Sequence, residues 1–277
     1  EKTQAQIEKL KDLKTGMMQE LLSPREPKAG DQTVTQASKT NGLHHTEFKD
    51  SPLGRIPVGW EVVPLTKVIS VKHGFQFREN HFSDHGIPIV KIGNLTWGNY
   101  VDMSGFSKVP QERFPDFTSY LLTGGEVLMA LTGATLGKVS IYDANFPSLQ
   151  NYRVGSFIPK NIRAISLDYI FWVLQSGYVQ QRIEDLINQA AQPNIGKADL
   201  EGMNIPLPSL EEQAKITKAL FSLFNKITMV DKKLLSLHSL KKALMQDLLT
   251  GKVRVTVPSH PCDHGISASM HVTVDAS

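Results

Sequence analysis

Between Ile216 and Leu248 the apolar residues fall on a single seam. Ile216, Leu220, Leu223, Ile227, Val230, Leu234, Leu237, Leu244 and Leu248 follow one another in alternating steps of four and three, and Lys241 fills the one slot that breaks the run. A period of 3.5 held over more than four heptads specifies a coiled coil rather than a helix lying on a surface. Pro206 and Pro208 precede the seam, Ser209 with Glu212 three residues on matches a capping box, and Gly251 stands just beyond Leu249 to end the helix. At 1.5 Å per residue, a helix from Ser209 to Leu249 is roughly 60 Å long. The domain that precedes it, residues 53–207, is too small to cover that length. The seam therefore needs a second helix.

The other end of the chain offers one. Leu10–Ser23 (LKDLKTGMMQELLS) matches Leu237–Thr250 (LHSLKKALMQDLLT) at a fixed offset of 227 residues. That offset is too long for a solenoid period of about 20 to 50 residues. It fits one module, a globular domain followed by a helix, present as the end of one copy and the whole of the next. The first helix carries the same seam in Ile7, Leu10, Met17 and Leu21, with Lys14 in the slot that matches Lys241. A polar residue in a seam can fix register at a cost in stability. The expected subunit interface is accordingly Leu10, Met17 and Leu21 on one helix. On the other it is Leu220, Leu223, Ile227, Val230, Leu234, Leu237, Leu244 and Leu248. Pairing within the chain and pairing across a homodimer both remain open.

Between the seams, residues 24–52 have the Pro, Gly and polar composition of a linker. From residue 53 to 207 the pattern shifts to short β-like runs punctuated by Gly, Pro and Asn: Glu61–Val63, Ile87–Ile92, Glu126–Leu131, Lys138–Tyr142 and Arg153–Ile158. One amphipathic helix, about Leu167 to Asn188, follows them. The expectation is an α+β chain with a mostly-β domain. It is bounded by the end of a helix at 1–23, a coiled-coil helix at 208–250 and a tail without core pattern at 251–277.

Composition excludes several classes of protein. No apolar run approaches the 18 or so residues that span a bilayer, so no membrane role is expected. The single cysteine, Cys262, rules out an internal disulfide and fits a reducing cytosol. The net charge of +3 says little until divided. Residues 53–207 carry thirteen Lys/Arg and thirteen Asp/Glu, so any nucleic-acid surface there must come from sorting the charges to opposite sides.

No catalytic constellation is complete. Gly133 to Lys138 resembles a phosphate loop, but it has three residues between the glycines and Val139 after the lysine, where the motif needs four and Ser or Thr. A β-hairpin turn is the better reading. Pro115-Asp116 with Glu126 lacks the lysine of a metal nuclease, since Leu128 stands there. His260, Cys262 and His264 sit in the tail with no fourth ligand, and His44-His45 sits in the linker. No hydrolase elbow, dinucleotide loop or Asn/Asp-Pro-Pro-aromatic motif of an amino-methyltransferase occurs. No metal and no cofactor is expected on this chain.

What remains is recognition chemistry on loops between strands. Gly74–Arg78 (GFQFR), Lys91–Asn94, Thr132–Lys138 and Gln150–Arg153 combine amide, hydroxyl, cationic and aromatic side chains. Asn and Gln can pair with adenine, Arg and Lys with guanine, and all can reach phosphates. The candidate DNA-binding residues are Lys72, Gln76, Arg78, Lys91, Asn94, Thr132, Lys138, Gln150, Asn151 and Arg153. Lys91, Lys138 and Arg153 are expected on phosphates, with Asn94, Gln150 and Asn151 nearer the base edges.

Three groups of residues carry a resemblance to a known family. They are Ile56-Pro57-x-Gly59-Trp60-Glu61, then Gly86-Ile87-Pro88 with Gly93-Asn94, then Leu122-x-Gly124-Gly125-Glu126-Val127-Leu128. Their order resembles the target-recognition domain of Type I restriction–modification specificity subunits. Gln192-Pro193-Asn194-Ile195 and Ile205-Pro206-Leu207-Pro208-x-Leu210-x-Glu212-Gln213 are similar to that family's junction into its spacer helix, and Leu244–Lys252 to the helix's end. The resemblance implies a cytoplasmic, non-catalytic subunit that reads one half of a bipartite site in double-stranded DNA. It also implies docking of methyltransferase subunits, which carry S-adenosylmethionine, and of a restriction (motor and nuclease) subunit. Members usually hold two recognition domains and two antiparallel spacer helices. One complete unit and the stub of another leave three arrangements open: a chain acting alone, a homodimer, or part of a larger subunit. A coiled-coil protein-interaction adaptor is the alternative from another class.

Overall fold

A computed structural model of the chain describes residues 2–22, 45–97, 99–189 and 194–250. Most of the 24–52 linker, with His44, lies outside the described residues. So do Gln192-Pro193 and the tail with His260, Cys262 and His264. The described chain divides into two compact units. One is residues 12–223, and the other gathers the start of the first helix with the last helix from Phe224 onward.

The core of the larger unit is two sheets. The first has five strands in the order β4 (Ile69–His73), β12 (Val154–Pro159), β9 (Glu126–Ala130), β10 (Val139–Tyr142), β6 (Asn99–Tyr100). The second has four: β7 (Ser107–Val109), β5 (Ile87–Val90), β11 (Ser148–Gln150), β8 (Leu121–Leu122). The pairs β10–β6 and β11–β5 are parallel, and the other pairs in these sheets are antiparallel. Val127, Leu128, Met129 and Ala130 are all buried, as expected of a central strand covered on both faces. Leu128 and Ala130 join Val90, Leu95, Val101, Leu122, Tyr142 and Val154 in one cluster. By the pleat, Val127 and Met129 point the other way, and helix α2 (Leu167–Leu174) packs against that strand.

Two smaller ladders close the domain. β1 (Phe48–Lys49) pairs with β2 (Ile56–Pro57), which places a strand inside the stretch expected to be linker. β3 (Glu61–Pro64) pairs with β13 (Asn204–Leu207), joining the domain's first and last segments. The edge strand β4 does not end in open backbone. Glu201, on the short helix α4 (Lys197–Glu201), accepts a hydrogen bond from the Val71 amide at 2.9 Å. A carboxylate that occupies an edge amide removes a pairing site for another chain.

The single amphipathic helix expected near Leu167–Asn188 is two helices, α2 and α3 (Gly177–Gln189). Its first part is not amphipathic, because Tyr169 through Leu174 are all buried. At the break, the Gln175 amide donates to the Phe171 carbonyl at 2.8 Å and the Ser176 hydroxyl to the Val173 carbonyl at 2.5 Å. These side chains satisfy carbonyls that a continued helix would have used.

The first helix, α1, spans Lys2–Leu22, and the last, α5, spans Leu210–Leu249. Ser209 caps α5 by accepting from the Glu212 amide at 3.3 Å, but the reciprocal half of the capping box is absent. The Glu212 carboxylate instead accepts from the Trp60 indole at 3.0 Å and lies 2.8 Å from His45 Nε2. Gln213 is fully buried, donating to the Ala164 and Pro208 carbonyls and accepting from the Ser166 amide. The sequence motifs at Gly59-Trp60 and Glu212-Gln213 thus build the joint between domain and helix.

The seam is only partly used inside the chain. Ile216 and Leu220 are buried, and beside them Phe221 stacks on Phe171 with ring centroids 5.8 Å apart, so the first turns of α5 cover the domain core. The expectation that the whole seam needs a second helix is corrected to that extent. Ile7, Leu10, Leu21, Leu223 and Ile227 are also buried, and Met17, Val230 and Leu234 half-buried. Leu237, Leu244 and Leu248 are 45%, 49% and 48% exposed. Lys14 is not matched with the exposed Lys241: its amine lies 5.3 Å over the Trp172 ring, and burial lowers its pKa.

Candidate nucleic-acid interface

The ten residues singled out on loops occupy the same end of the two sheets. Lys72 is the penultimate residue of β4, which ends at His73 and runs into Gly74–Arg78. Lys91 and Asn94 follow β5, Thr132 follows β9, Lys138 precedes β10, Gln150 ends β11, and Asn151 and Arg153 lead into β12. Ladder geometry makes these ends coincide. The Leu131 amide donates to the Arg153 carbonyl at 3.0 Å, the Asn151 amide to the Val90 carbonyl at 3.1 Å, and the Phe75 amide to the Gln150 carbonyl at 2.9 Å.

Five of the domain's cations share this end. Lys72, Arg78, Lys91, Lys138 and Arg153 form no ion pair among the described residues. Elsewhere in the domain Lys67 pairs with Glu61, Arg113 with Asp116 and Lys197 with Glu201. Glu126 and Asp143 mark the opposite ends of β9 and β10. Acids also stand near this end: Glu79, beside Arg78; Asp102, whose carboxylate accepts from the Ser104 amide at 3.0 Å; and Glu201, whose carboxylate accepts from the amide of Val71, next to Lys72, at 2.9 Å. Ion pairing does not by itself set this end apart, since Lys108, Lys160, Arg163 and Arg182 also form none among the described residues; the gathering of five cations at the ends of neighbouring strands does.

Aromatic rings carry the cations. The Lys72 amine lies 5.9 Å from the Tyr120 ring centre and donates to the Ser119 carbonyl. Lys91 stands 4.3 Å over Phe82 and donates to the Ser107 hydroxyl at 2.5 Å, and burial lowers its pKa. The Arg153 guanidinium donates to the Tyr152 hydroxyl at 2.6 Å. Beneath them Phe75, Phe77, Phe117 and Tyr120 form a cluster, with Phe75–Phe117 centroids 4.9 Å apart and Phe75–Tyr120 5.5 Å apart. The Phe-x-Phe spacing of the loop was a visible signal of that cluster, but the partners Phe117 and Tyr120, forty residues on, were not.

The amides expected near base edges are committed inside the protein. Gln150 is buried; its Nε2 donates to the Lys72 carbonyl at 2.9 Å and the Val154 carbonyl at 2.8 Å, and its Oε1 accepts from the Ser156 hydroxyl at 3.0 Å. Asn94 accepts from the Lys91 amide at 3.0 Å and donates to the Asp102 and Ser104 carbonyls. Asn151 is buried and accepts from the Arg153 amide at 3.3 Å. These three hold the loops in shape. The Thr132 hydroxyl is sealed from solvent with no hydrogen-bond partner among the described residues, in a turn where Gly133 and Gly137 take φ of 73° and 83°. That turn joins the antiparallel strands β9 and β10, a hairpin and not a phosphate loop. Gln76, Arg78 and Arg153 are the exposed members; Arg153 donates to Tyr152, whereas neither the Gln76 nor the Arg78 side chain makes a hydrogen bond among the described residues.

A rigid two-sheet scaffold that gathers unpaired cations and free polar side chains at one end defines a recognition module. The chain belongs to the Type I restriction modification DNA specificity domain family, whose profile matches residues 57–238. It is similar to the Type I restriction enzyme MjaVIII specificity subunit of Methanocaldococcus jannaschii, 32% identical over 255 residues, with 90% of this chain and 56% of that one covered. It is also similar to the EcoKI specificity subunit of Escherichia coli, 22% identical over 207 residues, covering 72% of this chain and 44% of the relative. The fold is shared with the crystal structure of a Type I restriction–modification S subunit from M. genitalium: TM-score 0.60, 18% identity, 89% of this chain and 56% of that one. The chain thus spans about half the length of the relatives it matches. Among the described residues no helix is long and apolar enough to cross a membrane.

Proposed function

We propose that this chain reads one half of a bipartite site in double-stranded DNA, acting as a non-catalytic specificity subunit in a cytoplasmic Type I restriction–modification complex. The observation that carries the reading is the convergence of Lys72, Arg78, Lys91, Lys138 and Arg153 without ion-pair partners at one end of a family-matched domain. Phosphate contacts made by cations such as Lys91, Lys138 and Arg153 supply affinity and register, and neighbouring groups that reach base edges supply sequence preference. Methyl transfer belongs to methyltransferase subunits, which bring S-adenosylmethionine, and cleavage to a restriction subunit. The exposed end of the α5 seam, Leu237 to Leu248, takes a second helix from another chain, since an apolar row of that kind is an association surface.

The test is duplex binding by the chain together with its methyltransferase partner across a salt series. Each phosphate neutralised adds about −0.9 to the slope of log K against log salt. Lys138→Ala should therefore flatten the slope by about one unit and weaken cognate and random duplex alike. Binding without preference for any sequence, or a slope that Lys138→Ala leaves unchanged, overturns this reading of the face.

A further inference from the structure

Resting on that reading, we infer that Gln76 and Arg78 form a two-residue reading head that contacts base edges in the major groove, Gln76 on an adenine and Arg78 on a guanine. Burial alternates along the loop: Phe77 is buried and Phe75 half-buried, while Gln76 and Arg78 are exposed. The Phe77 amide donates to the Phe75 carbonyl at 3.1 Å, and no non-glycine residue among the described residues has positive φ. Gln76 therefore sits at the tip of an inverse γ-turn, which turns its side chain away from the chain's own anchors.

The loop is fixed before any ligand arrives. Phe75 is tied on both sides, its amide donating to the Gln150 carbonyl and its carbonyl accepting from the Tyr152 amide, each at 2.9 Å. The Arg78 amide donates to His81 Nδ1 at 2.8 Å, and the His81 amide returns to the Arg78 carbonyl at 2.9 Å. Phe77 packs on Phe117 with centroids 5.1 Å apart. Backbone and alternate side chains are thus locked, and only the two outward groups are free to choose a partner. A preorganised loop loses little entropy on binding, so its polar contacts translate into discrimination.

The chemistry of the two free groups is specific. A Gln amide can pair bidentately with adenine N6 and N7, and a guanidinium with guanine O6 and N7. Two residues of chain span at most about 6.6 Å, and successive bases along one strand are about 3.4 Å apart. The adenine and guanine are therefore one or two steps apart in the same half-site. Gln150 and Asn94 do not compete for this role, because their amides are engaged within the protein, and Asn151 is buried with its Oδ1 held by the Arg153 amide.

The experiment selects preferred duplexes from a randomised pool with the chain bound to its methyltransferase partner, for wild type, Gln76→Ala and Arg78→Lys. Arg78→Lys keeps the charge and removes the bidentate fork. It should erase a preference for guanine at one position, a loss of roughly 5- to 140-fold over other bases there, while random-duplex affinity stays within about twofold. Gln76→Ala should erase a preference for adenine one or two steps away. Both residues are exposed, and unchanged melting temperatures confirm that the variants fold. If wild type is selective and both variants keep its full profile, the reading head is overturned while the specificity function stands. If wild type selects no sequence, both fall.

Discussion

Gly74→Ala tests the anchoring of the loop. A Cβ on Gly74 would sit 2.0 Å from the Gln150 carbonyl oxygen, 2.3 Å from its carbon and 2.5 Å from the Asn151 carbonyl oxygen. All three are backbone atoms, so no side chain can rotate out of the way. The loop must lift from β11, breaking the Phe75-to-Gln150 bond and straining the Tyr152-to-Phe75 bond. Two backbone hydrogen bonds lost or strained at about 1 kcal/mol each, with about 1 kcal/mol from the loosened contacts of Phe75 with Phe117 and Tyr120, give roughly 3 kcal/mol. At about 2–4 °C per kcal/mol for a domain of this size, the melting temperature should fall by roughly 6–12 °C. Hydrogen exchange should accelerate at the Phe75 and Tyr152 amides. Sequence-selective binding should be lost while random-duplex binding, carried by Lys138 and Arg153, persists. A melting temperature within 1 °C of wild type, with unchanged exchange at those amides, would refute the steric reasoning.

Gln150→Leu should act on stability and leave base preference alone. It strands the Lys72 and Val154 carbonyls and the Ser156 hydroxyl, at about 2–3 kcal/mol. A shifted base profile at unchanged melting temperature would restore Gln150 as a reading residue. Lys14→Met should raise the melting temperature by about 2–4 °C. The lowered pKa of Lys14 gives the sign: burial disfavours the charged amine by more than the Trp172 ring compensates. Because the folded-state pKa lies below the unfolded one, wild type gains stability as the pH rises toward the ordinary lysine value of 10.5, so the gap should narrow there. Thermal melts at neutral and alkaline pH check both, and a gap that widens with pH contradicts the burial argument.

Much of this architecture is written locally, and the rest is not. The α5 helix was legible because its seam, its prolines and Ser209 are contiguous, and it starts within a residue of the expected place. The five expected strands lie where alternating or apolar runs were seen, each within a residue or two apart from Ile87–Ile92, which stops at Val90 before a tight turn at Ile92–Asn94. The end of the domain that holds the candidate site was legible as well, since turn residues rich in amide and cation mark strand ends. The commitment of Gln150 was not, because two of its partners are main-chain carbonyls, one of them on Lys72, 78 residues away. Such carbonyls carry no side-chain signature. The short strands β6, β8 and β11 offered two or three residues each, too few for periodicity to register. Glu212 fitted its capping box in sequence, yet a tryptophan 152 residues earlier in the chain claims its carboxylate.

The pairing of β3 with β13 also sets when the domain can fold during synthesis. Val63 is matched with Ile205, 142 positions later. At about 5–20 residues per second, roughly 7–28 s separate the synthesis of the two partners. Until then β3 has no neighbour in its ladder, and β4 waits for β12, whose Phe157 is matched with Val71 from 86 positions earlier. Non-local pairings of this kind are reached slowly, since loop closure precedes any reward from contact. The apolar stretch Val127–Leu131 is made meanwhile, before the α2 residues that will cover it have emerged. A nascent chain halted short of Leu207 therefore has all the strands of its two larger sheets but leaves the backbone of β3 open, an edge that a neighbour on the polysome could pair with.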